Sequence, residues 1–133
     1  MRIIDLKVEP EDRIVVATVE GRVSLSEATN VFTKACDAAA ESGFALILVD
    51  CLSVEGELLT MERYELGRAL AEYCNSRSIA AKVTTVGKAP LINGFAALVA
   101  RNRGLVAETF SETQEAISWL KRFDSKAAAH KIG

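Results

Sequence analysis

The chain has 133 residues, 50% of them hydrophobic, and a formal net charge of −2. This length suits one domain that buries a core without disulfides or metals, and the small net charge excludes a broad electrostatic surface for nucleic acid. No apolar run approaches the ~18 residues of a membrane helix, because Asp50, Lys82 and Arg101 interrupt the apolar stretches. We therefore expect a globular protein with no nucleic-acid partner and no transmembrane segment.

The amino terminus and the cysteines indicate the compartment. Met1 to Lys7 lacks the long apolar region and the small-residue cleavage site of a secretory signal. The cysteines, Cys36, Cys51 and Cys74, are odd in number and have no metal-type spacing, so reduced, mostly buried thiols are expected. The sequence thus predicts a cytoplasmic protein with no metal and no cofactor.

The first third of the chain predicts a hairpin and a helix. Ile3 to Val8 and Arg13 to Glu20 are apolar and β-branched, and a turn separates them, which indicates an antiparallel hairpin. Ser24-Leu-Ser-Glu27 has the spacing of a capping box, and apolar residues recur behind it at helical spacing. We expect a helix from there to about Glu41.

The next segment predicts a buried strand and a functional loop. Phe44 to Asp50 is an almost uninterrupted apolar run closed by a carboxylate, which is typical of a strand buried on both faces of a parallel sheet. A loop from Asp50 to Thr60 and a helix from Thr60 to about Asn75 are expected to follow. Because ligands gather at the carboxyl ends of parallel strands, the segment from Leu52 to Met61 is predicted to carry the binding surface.

The second half repeats this alternation. Ala81 to Gly87 and Leu105 to Phe110 are predicted strands. Pro90 suits the first turn of a helix, because its missing amide would be unpaired there. Ser111-Glu-Thr-Gln114 reads as a second capping box that opens a final helix. The remaining segment, 124–133, is expected to be a frayed helix end or a disordered tail.

The element order β-β-α-β-α-β-α-β-α predicts an α/β fold. We expect a five-stranded, mostly parallel sheet with an amino-terminal antiparallel hairpin and about four helices, joined by right-handed crossovers. One domain is expected over residues 1–123, followed by a carboxyl-terminal tail over residues 124–133.

Several short segments within Ile3 to Phe123 share a family pattern. They are Val19-Glu-Gly-Arg-Val-Ser-Leu, Ile47-Leu-Val-Asp50 before a glycine-containing loop, Lys82-Val-Thr-Thr-Val-Gly87, Asn102-Arg-Gly, Thr109-Phe-Ser and Glu115-Ala-Ile-Ser-Trp-Leu120. With them the chain resembles a STAS domain (sulphate transporter and anti-sigma-factor antagonist), in particular the stand-alone SpoIIAA-like bacterial proteins. The resemblance implies a SpoIIAA-like fold and a small regulatory or ligand-sensing domain without catalytic chemistry of its own. The same βα superhelix is similar to CRAL-TRIO-type lipid-binding domains, which leaves open an apolar ligand.

The resemblance also implies a phosphorylation site, but this chain lacks the signature sequence that carries it. In the antagonists, a serine in an Asp-Ser-Ser-Gly-like signature, at the start of the helix after the central strand, is phosphorylated by a partner kinase. This chain reads Ser53-Val-Glu-Gly-Glu-Leu-Leu-Thr60 instead, so only Ser53 and Thr60 offer hydroxyls nearby. The simpler expectation for Thr60 is an N-cap, worth ~1 kcal/mol.

Two other features mark the same segment. Asp50 ends a strand, where it either closes a turn through local backbone bonds or serves as a cation ligand or base. Leu58, Leu59 and Met61 are three large apolar residues around a helix start. They either tuck under the loop or form a patch that meets a partner or lipid.

The expected function is a non-catalytic regulatory or binding domain, acting through protein association, including homodimerisation, or through small-ligand sensing. The alternatives are a carrier of an apolar small molecule or lipid and a small enzyme that uses Asp50 and Cys51. His130 is the only histidine and lies in the predicted tail, which argues against histidine-activated nucleophiles. The expected binding residues are Asp50, Ser53, Leu58, Leu59, Thr60 and Met61.

Overall fold

A computed structural model describes the backbone of residues 1–132 and the side chains of residues 1–123. Within this part of the chain, no helix is long and apolar enough to cross a membrane. The order of strands and helices is the one that the sequence predicts. The elements are β1 (Arg2–Glu9), β2 (Ile14–Arg22), α1 (Leu25–Ser42), β3 (Leu46–Glu55), α2 (Thr60–Ser76), β4 (Lys82–Val86), α3 (Phe95–Asn102), β5 (Val106–Phe110) and α4 (Thr113–Ile132).

The five strands form one sheet in the order β1-β2-β3-β4-β5. β1 and β2 pair antiparallel, and every later pair is parallel. Each parallel strand lies beside the next one in sequence, so right-handed crossovers place α1, α2 and α3 on the same face. The contacts agree, since α2 packs against α1 and α3, while α4 packs against β3, β4 and β5. The predicted α/β fold with an amino-terminal hairpin is confirmed.

The sheet separates two apolar cores. Side chains alternate along β3, so Ile47 and Val49 belong to the larger core under α1, α2 and α3. Leu46 and Leu48 belong to the smaller core under α4, together with Leu120. The central strand is therefore buried on both faces, as its uninterrupted apolar run predicts.

β3 is longer than its sequence suggests, and the expected loop is correspondingly shorter. The strand continues to Glu55 because β2 also continues, and Arg22 pairs in register with Glu55. β4, the strand on the other side of β3, ends earlier, and its last residue, Val86, pairs with Asp50. The end of β3 thus projects beyond β4, and the connection to α2 begins only at Gly56, whose φ is +93°.

One of the two predicted capping boxes is present in the structure. Ser24 caps α1 as expected, because its Oγ accepts the Glu27 backbone N–H at 3.3 Å. The Ser111 capping box is wrong, since the first backbone bond of α4 runs from the Ala116 N–H to the Glu112 carbonyl at 3.3 Å. Glu112, one residue later than expected, therefore occupies the N-cap position.

Pro90 lies in a turn before α3, not in its first turn. The helix starts at Phe95 after Gly94, whose φ is +83°. Asn93 Oδ1 accepts the Phe95 N–H at 3.0 Å, so a side chain satisfies the first amide of the helix. This Asn-Gly start explains why the helix begins five residues later than proline alone would suggest.

The boundary predicted at residue 124 falls inside α4. The side chains of the predicted tail, 124–133, lie outside the described residues, and so does the side chain of His130.

Candidate functional site

An apolar cavity of about 80 Å³ lies where the carboxyl ends of β3, β4 and β5 meet the three helices of the larger core. The helices contribute most of its apolar wall, and the strands contribute its floor. Its larger apolar side chains are Phe32, Val54, Leu58, Leu66, Leu70 and Leu91. In parallel sheets covered by helices, this is the usual position of a ligand site.

The cavity stays unfilled because the residues of α2 and α3 beside it are small. At Gly67 the two helices α2 and α3 approach so closely that an added Cβ would overlap the Ala96 carbonyl oxygen and lie 2.9 Å from the Val99 Cβ. Ala97 and Ala100 of α3 face the cavity with single methyl groups. The helices are therefore in contact at their crossing, while the volume beside that crossing stays unfilled.

The floor of the cavity carries polar atoms. Cys51, Thr85 and Thr109 line it from β3, β4 and β5, and the two threonines are register partners. Thr85 is only 8% exposed, and no described residue forms a hydrogen bond with its hydroxyl. Gly94 lies opposite, because a Cβ added there would be 3.6 Å from the Thr109 Oγ1. The cavity is thus apolar along its walls and polar at one end.

Arg63 holds the cavity's border together. Its guanidinium is buried and donates to three backbone carbonyls: Nε to Leu58 at 3.0 Å, Nη1 to Leu91 at 2.9 Å and Nη2 to Pro90 at 2.7 Å. The carboxylate of Glu57 lies 3.7 Å from Nη2. These bonds join the start of α2 to the segment that precedes α3, and so fix two sides of the site.

The sequence contains a signal for Arg63 that our prediction missed. Arg63 continues the helical stripe of Leu66, Leu70 and Cys74 by the spacing of one turn, and all four residues are buried. A charge in an apolar stripe needs oxygen partners inside the protein. That position therefore indicates a buried arginine bound to backbone carbonyls.

Of the three large apolar residues around the start of α2, one is buried and two form an exposed patch. Leu58 is buried, 8% exposed, and lines the cavity. Leu59 and Met61 are 71% and 73% exposed. We call these two residues the α2-start patch. The structure thus tucks Leu58 under the helices and leaves the other two on the surface.

Thr60 does not cap α2. Leu59 occupies the N-cap position, because its carbonyl accepts the Arg63 N–H at 2.9 Å. The Leu59 amide in turn donates to Glu62 Oε1 at 2.8 Å. Thr60 is the first helical residue and is exposed. The predicted N-cap role of Thr60 is wrong, because Thr60 lies one residue inside the helix and Leu59 occupies the N-cap position.

Asp50 and Ser53 lie apart from the cavity floor. Asp50 Oδ1 accepts the Leu52 N–H at 3.0 Å, which is the local backbone role expected for it. Adjacent strand residues point to opposite faces, so Asp50 and the cavity-lining Cys51 lie on different sides of the sheet. Ser53 is exposed within β3, opposite Glu20.

Cys51 lacks the environment of a nucleophile. All three cysteines are free and buried, as predicted. Burial raises the pKa of the Cys51 thiol to about 12, with a smaller contribution from the negative charge of Asp50. The thiol therefore stays protonated at neutral pH, and only the thiolate is reactive.

Comparisons with known proteins give no relative, because no protein-family model matches the chain and no curated protein matches its sequence. Within the described residues, no group of three His, Cys, Asp or Glu side chains is placed to hold a metal ion.

Replacing Arg63 by methionine is expected to lower the free energy of unfolding by about 3 kcal/mol, because carbonyls held by a charged donor lose their partner inside the protein. Arg63→Lys should lose less, since an ammonium keeps the charge but lacks the planar fork. Arg68→Met is the matched control on the same helix, where only surface ion pairs with Glu65 and Glu72 are removed. Urea unfolding measures all three; equal losses at Arg63 and Arg68 would contradict the role given to Arg63.

Removing the Glu62 carboxylate, which accepts the Leu59 amide, should matter more than removing the Thr60 hydroxyl. Thr60→Ala is expected to change the unfolding free energy by less than about 0.5 kcal/mol, whereas Glu62→Ala should lower it by about 0.5–1.5 kcal/mol by freeing the Leu59 amide. Chemical denaturation of both variants checks this, and a larger loss in Thr60→Ala would restore the original N-cap prediction.

Proposed function

We propose that this protein is a non-catalytic regulatory or binding domain that takes up a small apolar molecule in the cavity beneath α2 and α3. The observation that carries the proposal is the cavity itself, an unfilled apolar volume of about 80 Å³ at the carboxyl ends of three parallel strands. Such cavities bind apolar ligands because their walls gain contacts that water does not supply.

The size of the cavity limits the ligand. An engineered apolar cavity of about 150 Å³ binds benzene, so roughly half that volume suits about three or four carbon atoms. The proposed ligand is therefore a short chain, or the end of a longer one that leaves through the mouth of the cavity.

Two observations support the non-catalytic part of the proposal. The thiol at the cavity floor, Cys51, has a pKa raised to about 12 by burial, which keeps it protonated. Asp50, its proposed partner in an enzyme, lies on the other side of the sheet. The alternative of an enzyme that uses both residues together is therefore less well supported than binding.

Membership of the STAS and SpoIIAA-like family is part of the same proposal, as is a cytoplasmic location in a bacterium. The five-stranded sheet, with an antiparallel β1-β2 pair and parallel pairs after it, supports this proposal because it agrees with the expected SpoIIAA-like fold. If this domain is phosphorylated, Thr60 fits better than Ser53, because Thr60 is exposed in the first turn of α2, where a helix N-terminus favours a phosphate. Ser53 lies within a strand.

A second candidate function, protein association, is favoured by the α2-start patch. Leu59 and Met61 are the two most exposed large apolar side chains of the described residues. Fully burying such a side chain contributes about 1.5–3 kcal/mol. A second copy of this chain is the partner that a purified sample tests directly.

Filling the cavity should abolish binding of a small apolar probe. Xenon is expected to shift the NMR signals of the Val54, Leu58 and Leu66 methyl groups in the unaltered protein. In Ala97→Val the added methyl groups occupy the cavity, so these shifts should fall severalfold. Ala40→Val, at an exposed helical alanine, is the matched control and should leave the shifts unchanged. Unshifted cavity methyl groups at saturating xenon would overturn the proposed function.

Removing the exposed apolar patch should weaken self-association and leave the fold intact. The double variant Leu59→Ser, Met61→Ser is expected to weaken a dimer by at least about tenfold, since both side chains would lose apolar burial. Light scattering during size-exclusion chromatography, over a range of concentrations, measures the change. Leu58→Ser is the contrasting variant and should unfold the protein more easily. An unchanged oligomeric state in the double variant would remove this second candidate.

A further inference from the structure

The polar end of the cavity contains a hydroxyl with no partner. Thr85 is more than nine-tenths buried, its side chain lines the cavity, and no described residue forms a hydrogen bond with its Oγ1. Among the described residues, the fully buried side-chain oxygen without a partner is that of Thr84, so the Thr85 oxygen keeps some accessible surface. A ligand atom placed in the cavity at this point could reach the Thr85 hydroxyl and form a hydrogen bond with it.

The start of α3 supplies donors on the opposite side. Asn93 Oδ1 accepts a hydrogen bond from the Phe95 amide, and the Leu98 amide donates to the Gly94 carbonyl. The first turn of a helix leaves its other amides without helical partners, and these belong to Ala96 and Ala97, which both line the cavity. An acceptor oxygen between Thr85 and this helix start would therefore meet donors from both sides.

The charges around the cavity select an uncharged group. Arg63 uses three of its five N–H groups on backbone carbonyls, and its charge already faces the Glu57 carboxylate at 3.7 Å. Glu108 borders the cavity, and its Oε1 accepts the Thr109 amide at 3.0 Å and faces Arg101 at 3.4 Å. Arg63 and Arg101 thus each already face a carboxylate, so a ligand carboxylate would lose its hydration here without gaining either of them as an unpaired cation.

We infer that the ligand of this cavity is a short apolar chain that ends in one uncharged oxygen group, an alcohol, an aldehyde or a ketone, with that oxygen at Thr85 and the first turn of α3. The inference rests on the proposed function and deepens it, because it adds the chemical class of the ligand. The apolar walls hold the chain, and the Thr85 hydroxyl recognises the oxygen.

The test compares 1-butanol, butanoate and xenon as probes in NMR titrations at neutral pH. We expect 1-butanol to bind with shifts at Thr85 and Ala96, and butanoate to bind at least tenfold more weakly. Thr85→Val removes the hydroxyl and keeps the shape, so it should weaken 1-butanol binding about threefold to tenfold, the range of one hydrogen bond. Xenon binding should be unchanged in that variant.

Thr84→Val is a closely matched control. Thr84 is the neighbouring residue, is fully buried with an unpaired hydroxyl, and faces α4 instead of the cavity. Its substitution should leave 1-butanol binding unchanged, and Thr85→Ser, which keeps the hydroxyl, should retain it. If xenon binds but Thr85→Val and Thr84→Val affect 1-butanol equally, or butanoate binds as well as 1-butanol, the inference is wrong and the proposed function stands. If neither xenon nor 1-butanol binds, both are wrong.

Discussion

The buried guanidinium of Arg63 is the interaction on which the functional half of the molecule depends. It joins backbone carbonyls that are far apart in sequence, those of Leu58 on one side and of Pro90 and Leu91 on the other. Neither segment belongs to a strand or helix, so no sheet or helix bond fixes their separation. The side chain of one residue therefore sets the distance between the start of α2 and the segment before α3, and with it the width of the cavity.

The unequal lengths of the strands provide the rest of the site. β3 runs on to Glu55 beside β2, whereas β4 ends at Val86. The segment from Gly87 to Gly94 therefore has to cross the space beside the end of β3 before α3 begins. Close contact of α2 and α3 at Gly67 brings the helix start over the strand ends. The cavity is thus a consequence of the strand lengths together with small residues at a helix crossing.

Most of the fold could be predicted from the sequence, because alternating periods and glycine positions reflect local physics. The cavity could not, since it depends on which residues of α2 and α3 meet on the same face of the sheet. The start of α2 shows the difference. Thr60 is of a residue type that favours the N-cap, yet Leu59 occupies that position, and its amide donates to the Glu62 carboxylate. Leu58 and Leu59 are adjacent and chemically identical, and only the path of the chain makes one buried and the other exposed.

The energetics support the proposed binding of a ligand in the cavity. An unfilled apolar volume costs about 24 cal/mol per Å³, so 80 Å³ corresponds to roughly 2 kcal/mol of stability that a larger side chain at Ala97 or Ala100 would recover. Thr85 lines the same volume, and its hydroxyl has no hydrogen-bond partner among the described residues. A ligand with an apolar chain and one oxygen would fill the volume and pair this hydroxyl at once. Neither an apolar molecule nor water alone does so, because the first leaves the hydroxyl unpaired and the second leaves the walls without contacts.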